Sequence, residues 1–96
     1  MIIKLKKFGT TLISRQMGKE AFAAFQSTLQ SIGPEESVEI DFEGVLTFSP
    51  SWGDEFLVPF AKKFDGRFFL IAADNLSVKA TLEILEKTSG LKFIIK

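Results

Sequence analysis

The sequence contains no cysteine, no histidine and no tyrosine. The absence of cysteine and histidine excludes disulfides, the common zinc sites, cysteine nucleophiles and Ser-His-Asp triads. An enzyme would have to use aspartate, glutamate or lysine as its acid or base, so catalysis is the least favoured function and we expect a protein that is not an enzyme. We expect no cofactor, because a glycine-rich phosphate loop with its Lys-Ser/Thr pair is missing as well.

An excess of charge of one sign and a long apolar run are also missing. Twelve basic residues balance 12 acidic ones, which removes the usual electrostatic signature of proteins that bind nucleic acid or anionic membranes. No segment approaches the roughly 20 apolar residues of a membrane span, and the opening MIIKLKKF lacks the apolar core of a signal peptide. We therefore expect a cytoplasmic protein with no nucleic-acid or membrane partner.

Eleven phenylalanines and an apolar fraction of 46% predict one packed domain over residues 1–96. The eight acidic residues between 20 and 61 have no Lys or Arg among them. This pattern indicates either ordinary solvated faces, the interpretation we favour, or an acidic surface around residues 35–55 that meets a basic partner.

Apolar periodicity predicts strands separated by helices. The predicted strands are Ile2–Lys7, a short returning strand at Thr10–Ile13, Val38–Phe42, Arg67–Ala73 and Leu91–Lys96. The predicted helices are Arg15–Ile32 after a Ser14 cap, a second ending at Lys63, and a third that begins at Asp74-Asn75. This order predicts an α/β fold with a mixed, mostly parallel sheet of four to five strands and about three helices.

Three local features make this prediction more specific. The unbroken apolar run RFFLIAA is typical of a strand covered on both faces. Gly18 weakens the first helix by about 1 kcal/mol relative to alanine, which indicates close packing or an adjustable start. Pro59 lies inside the second helix and predicts a kink or break near Val58.

The stretch from Val38 to Phe64 is where we expect the functional site. A strand leads through a loop at Gly44 and Val45 to Ser49-Pro50-Ser51, and a helix follows. Ser51 is the predicted N-cap, and Asp54 comes three positions later, where a carboxylate favours the helix dipole. We expect the tetrapeptide from Ser49 to Trp52 to lie on an accessible rim.

These residues match a known pattern. IDFEGVLTFSPSWGDEF, preceded by LISRQMGKEAF, resembles the STAS-like family of unknown function over roughly residues 9–73. In that family a strand ending in Asp-Phe leads through Gly-Val and Ser-x-Ser to an aromatic residue and an acidic helix start. The stretch is more distantly similar to the STAS domains of anti-sigma-factor antagonists. Those cytoplasmic switch proteins carry a loop serine that a partner kinase phosphorylates.

The resemblance implies a regulatory protein-binding module that presents residues 44–58 to a partner protein, a kinase-like ATPase or another regulator. Matched residue by residue, Ser49 falls at the antagonists' loop aspartate and Pro50 at their phosphorylated serine. Ser51 falls at the serine that follows, and Trp52 replaces a small glycine. Because proline cannot accept phosphate, the switch would have moved to Ser51 or Ser49, or it has been lost.

Other interpretations of the same residues remain open. Trp52 is either a surface anchor for a partner or part of the core, and the core is favoured. Arg15 could bind a phosphate or a carboxylate, or it could solvate the start of its helix. Asp41 could be a ligand beside Glu43, but such a pair more often forms an exposed turn.

The alternative function is a small-ligand domain. It would bind a nucleotide or lipid in the crevice beyond the strand ends, near Gly44 and Asp74. Asp54 and Glu55 belong to the candidate surface under the first function. The sequence makes no prediction of the oligomeric state.

Overall fold

The longer strands and helices follow the order that the sequence pattern predicts, with one additional short strand at Thr47–Phe48, where a loop is expected. A computed structural model describes all residues 1–96. Its elements are β1 Ile2–Lys4, β2 Thr11–Leu12, α1 Arg15–Ala24, α2 Gln26–Gln30, β3 Val38–Asp41, β4 Thr47–Phe48, α3 Pro50–Lys63, β5 Phe68–Leu70, α4 Leu76–Ser89 and β6 Ile94–Ile95. None of the helices is both long and apolar enough to cross a lipid bilayer.

The main sheet has four parallel strands in the order β1-β3-β5-β6. A second, smaller sheet pairs β2 with β4, also in parallel. The predicted α/β class with a mostly parallel sheet is therefore confirmed. The short strand after Gly9 exists, but it pairs with β4 rather than returning along β1, because a 3-10 turn over Leu5–Phe8 redirects the chain.

All helices lie on one face of the main sheet. Each connection between its strands advances in the same direction across the sheet, and right-handed crossovers then place every helix on the same side. On the inner face Ile40 and Leu70 are fully buried, whereas Ile2 and Ile94 on the outer face are 57% and 51% exposed. The expectation that RFFLIAA is covered on both faces is wrong, because Phe69 points to the outer face and stays half-buried.

The first helix is interrupted. Ser14 caps it as predicted, with its hydroxyl accepting a bond of 3.2 Å from the Met17 N–H. Phe25 then separates α1 from α2 and is itself buried in the core. This break explains why four helices occur where about three are expected. Pro59, in contrast, causes no break, since α3 continues from Pro50 to Lys63.

A chain of aromatic rings joins the helices to the sheet. Trp52 and Phe56 are stacked with centroids 4.8 Å apart, and Phe56 also contacts the rings of Phe22 and Phe25. The backbone of α1 comes close to this cluster at Gly18, where an added Cβ would stand 2.7 Å from the Trp52 carbonyl oxygen. The sequence interpretation that Gly18 marks close packing is therefore confirmed.

Candidate interaction site at the start of α3

The loop between β3 and α3 is held by short-range hydrogen bonds. The Asp41 Oδ1 accepts from the Glu43 N–H at 2.9 Å, which gives Asp41 the turn-forming role that we favour over a ligand role. Gly44 has φ +86°, and a Cβ there would meet the Lys6 side chain at 2.6 Å. The positive φ favours glycine here, whereas the flexible Lys6 side chain could move aside.

Ser49, not Ser51, is the N-cap of α3. Its Oγ accepts from the Trp52 N–H at 3.3 Å and donates to the Ile13 carbonyl at 2.7 Å. The prediction of a Ser51 cap is wrong. Pro50, with its fixed φ and no N–H, is suited to the first helical position, so α3 begins at Pro50 and the residue before it is the cap. The same Ser49 contacts tie α3 to the segment that precedes α1.

Ser51 and Trp52 point to different environments. Ser51 is the second residue of α3, it is half-buried, and its hydroxyl is not bonded within the chain. Trp52 is 1% exposed, so it belongs to the core and is not available as a surface anchor. The predicted accessible rim therefore consists of Ser49, Pro50 and Ser51 and does not extend to Trp52.

Arg15 joins the starts of α1 and α3. Its Nη1 lies 2.9 Å from the Asp54 Oδ2 and 2.8 Å from the Glu55 Oε2. Two hydrogen bonds raise the pKa of the Arg15 guanidinium above its usual value. The bond to Asp54 has the larger effect and the bond to Glu55 the smaller one. Arg15 thus binds carboxylates, as one sequence interpretation proposed, but they belong to this chain.

Asp54 lies beyond the first turn of α3, which contains no acidic residue, so its predicted place beside the first amides is wrong.

Two residues with exposed apolar side chains contact this helix start or line the cavity beside it. Ile13, whose carbonyl binds Ser49, is 50% exposed, and Ile84 on α4 is 44% exposed. Ile84 lines a cavity of about 320 Å³ together with Pro50 and Arg15. We call Ile13, Pro50, Ser51 and Ile84 the helix-start patch. Ile13 and Ile84 are not among the predicted site residues; the signal for Ile84 is an apolar residue outside the buried stripe of its helix.

The crevice of the alternative function is also present. Asp41, Gly44, Asp74 and Asn75 line a cleft of about 470 Å³ beyond the carboxyl ends of β3 and β5. The Asn75 amide closes one side by donating to the carbonyls of Val45 and Leu46, each at 3.1 Å. The strand order does not reverse at this point, so the cleft lacks the switch point at which open sheets commonly bind ligands. No group of three or more acidic side chains is arranged to hold a metal ion.

Comparison with known proteins adds no family. No family model matches the chain, and neither the curated proteins nor the solved structures give a significant match. Fold and site together define an α/β domain that has a parallel sheet, helices on one face and a small cavity at the start of α3 that Ile84, Pro50 and Arg15 line.

Proposed function

We propose that this chain is a regulatory protein-interaction module that binds its partner through the helix-start patch. The observation that carries the proposal is that two exposed apolar residues meet this helix start: Ile84 lines a cavity with Pro50, and the carbonyl of Ile13 accepts the Ser49 hydroxyl. Single exposed apolar residues are common on protein surfaces, but grouped ones with a polar rim are typical of contact sites.

The patch rests on a rigid base. Ser49 bonds to both the Trp52 N–H and the Ile13 carbonyl, and Arg15 connects the first turn of α1 to the second turn of α3. Beneath them Trp52 packs against Gly18. A surface that is already ordered loses little conformational entropy when a partner binds, so more of the contact energy appears as affinity.

The STAS-like resemblance supports the same location, since it implies a protein-binding role for residues 44–58. It also implies control by phosphorylation, for which Ser51 is the better candidate because the Ser49 hydroxyl is already bonded twice. A phosphate on Ser51 would be favoured by the helix-start amides. Repulsion from Asp54 is reduced, since Arg15 already pairs with that carboxylate. The phosphorylating partner would be a kinase-like ATPase acting in the cytoplasm.

The small-ligand alternative is supported by the volume of the strand-end cleft, about 470 Å³, which suits a small molecule. Its lining includes the carboxylates of Asp41, Glu43 and Asp74. These acids repel phosphate groups, so an uncharged or cationic ligand fits better than a nucleotide. A thermal-shift series with neutral, amine-bearing and nucleotide ligands tests this, because a ligand that binds the folded state raises Tm.

The experiment that tests the main proposal uses three variants of the tagged chain. The wild type, Ile84→Asp and Ile94→Asp are each used to isolate partners from the native cells, and the proteins recovered are identified by mass spectrometry. Ile94 is a matched control because it is similarly exposed, 51% against 44% for Ile84, but lies on the outer face of the sheet. We expect a partner that Ile84→Asp loses and Ile94→Asp keeps. A full set of partners retained by Ile84→Asp argues against the patch.

A further inference from the structure

A second groove runs between α1 and α3 and shares Asp54 with the cavity that Pro50 and Ile84 line. We infer that it binds an acidic segment of the partner protein that also carries an apolar side chain. This inference rests on the proposed function and adds the chemistry of the bound segment. The groove has a volume of about 470 Å³, with Lys19 on its α1 side and Lys62 on its α3 side.

The floor of the groove is apolar and well supported. Phe22, Val58 and Pro59 form it. The ring of Phe22 packs edge-on against Phe56 at 6.0 Å, so the floor is anchored to the aromatic core. Pro59 also has no N–H, and the carbonyl of Glu55 therefore lacks its usual helical donor.

The charge around this floor selects the occupant. Lys19 and Lys62 are exposed, and neither takes part in any of the four ion pairs of the chain. Asp54 and Glu55 also line the groove, but Arg15 already holds both carboxylates. The groove lining is neutral by count, but Arg15 pairs from outside with both of its carboxylates, so Lys19 and Lys62 are the unpaired charges and they attract carboxylates of a bound segment.

The spacing of these groups defines the segment. Two cations stand on opposite walls of an apolar floor that is large enough for one or two side chains. The complementary peptide has an apolar side chain between carboxylates, which reach Lys19 on one wall and Lys62 on the other. Exposed ion pairs of this kind contribute modestly, so we expect selectivity for charge and a marked dependence on salt.

The test uses two synthetic peptides, Glu-Glu-Leu-Phe-Glu-Glu and Lys-Lys-Leu-Phe-Lys-Lys, titrated into the ¹⁵N-labelled full chain and followed by NMR. We expect the acidic peptide to shift the amides of Lys19, Phe22 and Lys62, and to bind more weakly as salt is raised. The variant K19E/K62E should weaken this binding by about tenfold or more. The control K79E/K87E, which reverses two α4 lysines, should leave it unchanged.

Several outcomes overturn the inference. These are equal binding of the two peptides, shifts that map to another surface, or unchanged affinity in K19E/K62E. A chain that is dimeric in sedimentation and becomes monomeric in K19E/K62E identifies a second copy as the occupant and also refutes it. Where K19E/K62E unfolds by circular dichroism, K19Q/K62Q removes the same charges without reversing them and must give the same loss.

The design separates this inference from the proposed function. Ile84→Asp alters the helix-start patch and leaves the groove residues intact. If K19E/K62E loses the peptide while Ile84→Asp leaves partner binding unchanged, the groove stands and the proposed patch fails. If Ile84→Asp loses the partner while the acidic peptide binds K19E/K62E normally, the patch stands and the groove inference fails.

Discussion

Replacing Gly18 by alanine is the most informative perturbation of the scaffold that carries the site. The new Cβ would lie 2.7 Å from the Trp52 carbonyl oxygen, 3.1 Å from the Trp52 Cα and 3.2 Å from its Cγ. The first two of these are backbone atoms, so a change of side-chain rotamer cannot relieve the contact. The first turns of α1 and α3 must move apart, in the region where Arg15 and Ser49 hold them together.

Two effects of opposite sign set the magnitude of the change in stability. Alanine improves helix propensity by about 1 kcal/mol relative to glycine. Inserting a methyl group into a packed contact costs about 1–3 kcal/mol, and a backbone obstacle favours the upper end of this range. We therefore expect Gly18→Ala to reduce the free energy of unfolding by about 1–2 kcal/mol, which lowers Tm by about 4–16 °C in a domain of this size.

Urea denaturation and thermal unfolding followed by circular dichroism measure this change. Gly33→Ala is the control, because a Cβ there meets Glu36 at an ordinary 3.8 Å and should alter the free energy by less than about 0.5 kcal/mol. A Gly18→Ala protein as stable as the wild type, or more stable, would show that α1 and α3 can move apart at little cost in free energy. The rigid base assigned to the patch would then be refuted.

Two further predictions concern the cap and pH. Ser49→Ala removes both the α3 cap and the bond to the Ile13 carbonyl and should cost about 1–2 kcal/mol in urea denaturation, whereas Ser51→Ala should change the free energy by less than about 0.5 kcal/mol. Equal effects would contradict the cap assignment. The Gly33 N–H, followed by the terminal ammonium group, lowers the pKa of Glu36. The ionised Glu36 carboxylate therefore stabilises the fold slightly above its unfolded-state pKa, and this stabilisation is lost as the pH falls through the lowered folded-state pKa. Glu36→Gln should be less stable than the wild type at neutral pH and equally stable in strong acid.

The order of the longer elements could be predicted from the sequence because each of them has its own apolar period, whereas the two-residue strand β4 is too short to show one. Val38 and Ile40 alternate with polar residues and form a strand, and the Gly33-Pro34 pair follows the last helical turn before it. The strands are shorter than the apolar pattern predicts, because pairing stops where a strand turns away from the adjacent strand. The expected strand at 67–73 has only three paired residues, Phe68–Leu70.

At the start of α3 the cap preference of serine does not by itself identify the N-cap. Ser49 and Ser51 are equally good caps by residue type, and the choice between them depends on the proline that separates them. Pro50 fits the first helical position, which leaves Ser49 as the cap. The preference of proline for the first helical position therefore distinguishes Ser49 from Ser51 as the cap.

Other parts of the site depend on tertiary contacts that no local pattern contains. Arg15 binds Asp54 and Glu55 across 39 and 40 positions of sequence. Ile84 comes close to Pro50 only because α4 packs beside α3. Likewise, RFFLIAA has the composition of a doubly covered strand, but the uniform direction of the crossovers leaves its outer face open.

The most direct test of the central claim is the affinity of the isolated partner for three purified chains, measured by isothermal titration calorimetry. The helix-start patch predicts that Ile84→Asp binds at least about tenfold more weakly than the wild type, a loss of about 1.4 kcal/mol that is typical of an interface residue. Ile94→Asp should bind as the wild type does. Affinities within twofold of one another for all three chains would contradict the assignment of this surface.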